Sequence, residues 1–169
     1  QVHETGITIV VVEQSVNVAL HLAERAVFME KGQFRFSGRT RDLLQEPEIL
    51  RSVFLAGAAG GDGAGTPPTA PRRRVLRGRA TPVERDVVLS CKQVVKRFGG
   101  ITAVDEVDLD LERGQVVGLI GQNGAGKTTL LDCISGFAPI DGGRIELDGL
   151  DVTDLAPHER AVLGLGRSF

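Results

Sequence analysis

Thirteen of the sixteen residues from Ala56 to Pro71 are Ala, Gly or Pro. Such a stretch buries too little apolar surface to offset the entropy of ordering it, so it reads as a flexible linker. It divides the chain of 169 residues into two short segments, 1–55 and 86–169, joined by 56–85. Arg72, Arg73, Arg74, Arg77 and Arg79 make the middle the one basic block, with 6 basic and 2 acidic side chains, against 6 and 7 before it and 8 and 13 after it. A solvated tether, a nucleic-acid patch and an anionic-membrane contact are all open to such a cluster. No aromatic residue is interleaved with these arginines, so the nucleic-acid reading has charge alone behind it and no nucleic-acid partner is expected.

Before the linker, Ile7 to Val12 is almost wholly β-branched and predicts a strand buried on both faces, as in a parallel sheet. At six residues it is far shorter than the roughly 18 to 20 needed to cross a bilayer as a helix. Ser15 caps a predicted helix from about Val16 to Glu24, with Val16, Ala19, Leu20 and Ala23 on one face. Ala26–Met29 and Gln33–Phe36 flank a Lys31-Gly32 turn and predict a hairpin, after which Thr40 caps a short helix and a last helix runs from about Glu48 to Leu55. After the linker, Val87–Arg97 and Val107–Leu111 alternate as half-exposed strands, and Val116–Ile120 reads as a central buried one. A glycine-rich loop, a helix over Lys127–Ser135, a strand over Arg144–Leu147 with a hairpin turn at Asp148-Gly149, and a helix start at Pro157–Val162 follow.

Gly121-Gln122-Asn123-Gly124-Ala125-Gly126-Lys127-Thr128 fits G-x-x-x-x-G-K-[ST] between a buried strand and a helix, the context its phosphate-binding mechanism requires. Glycines at 121, 124 and 126 let successive N–H groups curl into an anion-binding nest, and the helix adds the positive end of its dipole. Lys127 brings a mobile charge for β- and γ-phosphates, Thr128 a hydroxyl for Mg²⁺, and Thr129 a donor for the α-phosphate. Binding is not hydrolysis: no strand after Lys127 ends in an acidic pair. His3, His21 and His158 have no partner at ligand spacing, and Cys91 and Cys133 have no CxxC spacing, so the thiols read as buried and structural in a reducing compartment.

The string VVGLIGQNGAGKTTLLDCISGFAPIDGGRIELDGLDVTDLAPHERAVLGLGRSF resembles the start of an ATP-binding cassette, the ATPase subunit of ABC transporters. FGGITAVDEVDLDL and GLGRSF look like the branched-chain amino-acid importer type. TIVVVEQSVNVALHLAERAVFMEKGQ and ILRSVFLAG resemble the other end of such a cassette. The resemblance implies an α/β P-loop NTPase fold in two incomplete cassettes: the end of a first over 1–55, the linker 56–85, and the start of a second, with its Walker A motif, over 86–169. It implies that Phe98 stacks on adenine and that Gln14 stands at the switch-loop position, where the family uses a His against the γ-phosphate. A Gln can donate a hydrogen bond there but cannot carry a proton; the same exchange is familiar in one ATPase type of this branch.

The resemblance further implies an ATP-hydrolysing subunit that energises import of branched-chain amino acids or related small solutes. Its partners would be ATP, integral-membrane permease subunits and a second cassette, in the same chain or in a homodimer, on the cytoplasmic face of the plasma membrane. Beginning without Met and stopping before the glutamine loop, signature sequence and Walker B carboxylates, the chain reads as a piece of a longer protein that alone does not hydrolyse ATP. The other readings are a soluble non-transport ABC ATPase and a non-catalytic truncated remnant.

Overall fold

A computed structural model describes residues 6–45 and 86–168. The elements are β1 Ile9–Glu13, α1 Val16–Leu22, β2 Arg25–Glu30, β3 Gln33–Arg39 and α2 Thr40–Leu44, then β4 Val87–Phe98, β5 Ile101–Glu112, β6 Val116–Ile120, α3 Lys127–Ile134, β7 Gly142–Leu147, β8 Leu150–Asp151 and α4 Pro157–Val162. They build two four-stranded sheets, ordered β1-β6-β2-β3 and β5-β4-β7-β8. In the first, β6 lies parallel to β1 on one edge and to β2 on the other, while β3 closes the hairpin antiparallel to β2. The second sheet is antiparallel.

All five residues of β6 are buried, as a near-continuous Val, Gly, Leu, Ile run demands of a strand covered on both faces. On one face Val117 and Leu119 join Val27 and Met29 of β2, Leu130, Cys133 and Ile134 of α3, and the antiparallel sheet's Leu89, Cys91, Val94, Val107, Leu109 and Ile145 in one core. On the other, Ile120 packs with Val16, Ala19 and Leu20 of α1, with Phe28, and with Leu43 of α2. A side chain such as Leu119, 2% exposed, contributes about 1.5–3 kcal/mol by this burial. Close approach of α1 to the sheet rests on Gly118, where an added Cβ would meet the Cβ atoms of Ala19 and Ala23 at 3.3 Å each. The rings of Phe28 and Phe36 stack with centroids 4.1 Å apart.

Four expectations need correction. The β-branched strand β1 is parallel, but it forms the sheet's edge and is half-buried along its whole length, because among the described residues no strand pairs with its outer side. Thr40 is not a cap: Arg39 takes that place, and the Thr40 hydroxyl donates inward to the Ala23 and Glu24 carbonyls at 2.8 and 3.2 Å. Helix α1 stops at Leu22, since the Glu24 N–H is drawn to the Val116 carbonyl of β6, 2.9 Å away, and the chain leaves for β2. Strand β5 starts six residues earlier than Val107; Glu106, with φ 49, makes a bulge that breaks the alternation without ending the strand. Ser15 does cap α1, its Oγ accepting from the Val18 N–H at 3.5 Å. The predicted helix 48–55 and the linker 56–85 lie outside the described residues.

Candidate functional site

Parallel strands send their carboxyl ends to one edge, the place where open α/β sheets bind ligands. Here β1 ends at Glu13 in register with Ile120, and Phe28 of β2 is in register with the same residue. The loop 121–126 therefore leaves the sheet between two strand ends and turns into α3. Its glycines are needed for stated reasons. A Cβ at Gly121 would collide with the Met29 carbonyl oxygen, and one at Gly126 with the Ala103 carbonyl oxygen. Gly126 caps α3 at φ 102 and Gly124 sits at φ 79, both in the left-handed region that other residues avoid.

The loop is buttressed from behind. Ala125 is buried; its N–H donates to the Gln122 carbonyl at 3.1 Å, and its carbonyl accepts the Gly32 N–H at 2.9 Å. Gly32 in turn accepts from the Asp105 N–H at 2.9 Å, so the Lys31-Gly32 turn ties the loop to β5. Sequence reading identified that turn only as a hairpin connection. Its contact with the loop joins residues 93 apart, which no local pattern reports.

Lys127 is buried, and its Nζ donates to the carbonyls of Gly121 and Gln122 at 2.6 and 2.8 Å. Burial pulls its ammonium below the ordinary lysine value. The amine thus sits folded back on the loop at the amino end of α3, where the helix dipole is positive and the first N–H groups have no intrahelical acceptor. Both features favour an anion in front of the loop. Thr128 is exposed in the first helical turn and Thr129 is half-buried; Asn123 is exposed on the loop. Among the described residues no three His, Cys, Asp or Glu side chains form a metal site. A Mg²⁺ ion suits this donor set only as a companion of phosphate oxygens and water, with the exposed Thr128 hydroxyl as the protein ligand.

The structure brings Gln14 to the same edge, exposed and one residue past the Glu13–Ile120 pair. Phe98 is 54% exposed at the end of β4, paired with Ile101 across the hairpin and with the Lys96 Nζ 5.2 Å from its ring centroid. The returning strand passes Gly126 at Ala103. His21 is held by its own helix, Nδ1 lying 2.6 Å from the Asn17 carbonyl oxygen; His158 is exposed and His3 lies outside the described residues. Cys91 and Cys133 are buried free thiols, and desolvation pushes them up to about 12 and about 11.

Sequence reading missed Arg160. It is 2% exposed and donates to the carbonyls of Cys133 and Ile134 at 2.7 Å, of Thr153 at 2.8 Å and of Leu155 at 2.9 Å. It therefore satisfies the carboxyl end of α3, the helix whose other end carries the loop. Arg167 adds a bond from Nη1 to Asp132 at 2.6 Å.

Residues 104–166 match the family model described as ABC transporter. Over these residues, which hold the loop and α3, the chain is similar to ABC transporter ATP-binding segments. Over 85 residues the chain is 47% identical to a probable ABC transporter ATP-binding protein of Azorhizobium caulinodans, covering 50% of this chain and 30% of that protein. It is 45% identical over 82 residues to the high-affinity branched-chain amino acid transport ATP-binding protein BraF of Pseudomonas aeruginosa, covering 48% and 32%. To the spermidine/putrescine import ATP-binding protein PotA of Chromobacterium violaceum it is 46% identical over 82 residues, covering 48% and 23%. A nucleotide-free ATP-binding cassette from an ABC transporter superposes with a TM-score of 0.48 at 37% identity, over 49% of this chain and 33% of that one. The chain spans a third or less of the length of these relatives.

Proposed function

We propose that the chain is the nucleotide-binding part of an ATPase subunit that energises an importer, with branched-chain amino acids or related small solutes as cargo. The observation that carries this reading is the loop 121–128, closed over the buried Lys127 at the carboxyl edge of a parallel sheet, in a segment that matches the ABC transporter model. In this reading the backbone of Gly121, Asn123, Gly124, Ala125 and Gly126 cradles the phosphates of ATP. Lys127 exchanges its two loop carbonyls for phosphate oxygens. Thr128 holds Mg²⁺, whose charge would offset that of the phosphates, and Thr129 donates to the α-phosphate. Phe98 stacks on the adenine and Gln14 faces the γ-phosphate.

Residues 1–55 are then the end of a first cassette, 56–85 the linker, and 86–169 the beginning of a second. Two such cassettes, in one chain or two, would act on integral-membrane permease subunits from the cytoplasmic face. No described helix is long and apolar enough to cross a membrane. Alone, the 169 residues bind ATP weakly at best and do not hydrolyse it.

Titration with a fluorescent ATP analogue in Mg²⁺ tests this. Saturable binding is expected, weakened at least tenfold in Lys127→Ala, a difference of about 1.4 kcal/mol or more. Equal affinity of the two proteins would remove the phosphate-binding assignment. Metal-dependent ATP turnover above the Lys127→Ala background would remove the binding-only reading of this chain.

A further inference from the structure

Lys96 stands in β4 between the buried Val95 and the exposed Arg97, and it is itself 7% exposed. An apolar side chain would pack there without cost, whereas an ammonium taken out of water is costly unless it is paired. Its Nζ meets the Asp141 carboxylate at 3.4 Å and stands over the Phe98 ring, 5.2 Å from the centroid. Asp141 does more than pair that charge. Its N–H donates to the Val95 carbonyl at 2.8 Å and its Oδ2 accepts the Arg97 N–H at 2.5 Å, so the three residues that lead to Phe98 are each tied to this one aspartate. Beyond Phe98 the Gly99-Gly100 turn stands clear, since a Cβ on either glycine would meet nothing within 4 Å. The bracing of Phe98 thus comes from the strand behind it.

That bracing sits close to the phosphate loop. Lys96 is in register with Val104, next to Ala103, whose carbonyl oxygen lies against Gly126. Phe98 is two residues further toward the hairpin tip, roughly 7 Å along the strand, an offset that suits a base held off from its phosphates by a sugar. A cation is drawn to the negative face of an aromatic ring, and by drawing electron density toward itself it favours an electron-rich base on the opposite face. With one face so held, Phe98 is still 54% exposed, which leaves surface for a second planar group. We propose that Lys96, braced by Asp141, is a positioning residue for base recognition: its ammonium holds the Phe98 ring by one face and leaves the other for adenine. This role rests on the proposed reading of residues 121–128 and Phe98 as the seat of ATP, and all its parts lie within residues 86–168.

The test compares two ligands on the full chain, ATP and inorganic tripolyphosphate, each titrated in Mg²⁺ and followed by phosphorus NMR. Tripolyphosphate has the phosphates without the base and carries the higher charge, so a lysine that acts only as a nearby charge would serve it at least as well as ATP. Lys96→Met is expected to raise the ATP dissociation constant about three- to tenfold, the range of a partly desolvated cation–π contact, and to leave that of tripolyphosphate within about twofold. Lys96→Arg keeps the cation and is expected to restore ATP binding. In a Phe98→Leu background, Lys96→Met should have no further effect on ATP. Equal losses for the two ligands, an unchanged ATP affinity, or a loss that survives Phe98→Leu each overturn the proposal. Should Lys96→Met fail to fold, Asp141→Asn carries the same comparison, with a loss of at least about twofold for ATP alone expected and no loss overturning the proposal. A wild-type chain that binds neither ligand defeats the proposed function and the positioning role with it. One that binds both, with no difference in Lys96→Met, defeats the positioning role alone.

Discussion

Helix α3 has a buried cation at each end, and the two are held in opposite ways. At its carboxyl end Arg160 meets four carbonyls, two of them from the last turn of α3, where the dipole is negative and a cation belongs. At its amino end Lys127 meets two carbonyls of a loop, where the dipole is positive and a cation is electrostatically misplaced. Burial lowers the proton affinity of both. The difference is between a cation whose place matches the helix dipole and one whose place opposes it. Arg160 has fixed, dipole-aligned acceptors, whereas Lys127 gains an opposite charge only if an anion arrives.

That contrast is broken most directly at Arg160. Arg160→Ala would leave the carbonyls of Cys133, Ile134, Thr153 and Leu155 without this partner and is expected to cost about 3 kcal/mol of stability, read by urea unfolding. A loss under about 1 kcal/mol would mean that the two cations do not differ as described.

The middle-sized effect is at Lys127. Without nucleotide, Lys127→Met is expected to change stability by less than about 1 kcal/mol, since the loss of two hydrogen bonds is offset by relief of a desolvated charge. The sign of its pH dependence follows from the lowered proton affinity. Between the lowered value and the ordinary 10.5, the folded chain has shed a proton that the unfolded chain still holds, so wild-type stability rises with pH there on account of this group. Urea melts across that window should show the rise in the wild type and its loss in Lys127→Met.

The smallest effect supplies a solvent-exposed reference. Asp141 accepts the Arg97 N–H at 2.5 Å and the Lys96 ammonium at 3.4 Å, the first of which does most to hold its carboxyl below the ordinary value. Its contribution is present above the ordinary aspartate value of 3.8 and fades as pH falls through the lowered one. Asp141→Asn should therefore be slightly less stable than the wild type at neutral pH and should converge with it in strong acid, by thermal melts; a gap that persists there would refute the assignment.

How much of this was legible in the sequence depends on the range of the interactions. The β6, loop and α3 run could be read because strand, glycines and helix start are contiguous, and each carries its own local rule. The hairpin β2–β3 was equally local, with Lys31-Gly32 at its turn. Arg160 was not legible, because its acceptors at Cys133 and Ile134 lie 27 and 26 residues away and a carbonyl leaves no mark in a sequence. The bulges at Gln93 and Glu106, both with φ 49, hid the true length of the β4–β5 hairpin by breaking its period of two. That β1 and β2 flank β6 was not legible either, because the pairing joins residues about a hundred positions apart and no local pattern marks it.

That placement has a cost in time. Ile9 pairs with Val116, which is 107 residues further along the chain. At about 5–20 residues per second, a ribosome delivers the partner of β1 roughly 5–20 seconds after β1 itself. Through that interval the edge of the apolar, β-branched Ile9 to Val12 that pairs with β6 is open, the kind of edge that recruits strands from other molecules. The demand this topology makes on the cell is therefore greatest during synthesis, in the interval between the emergence of β1 and that of β6.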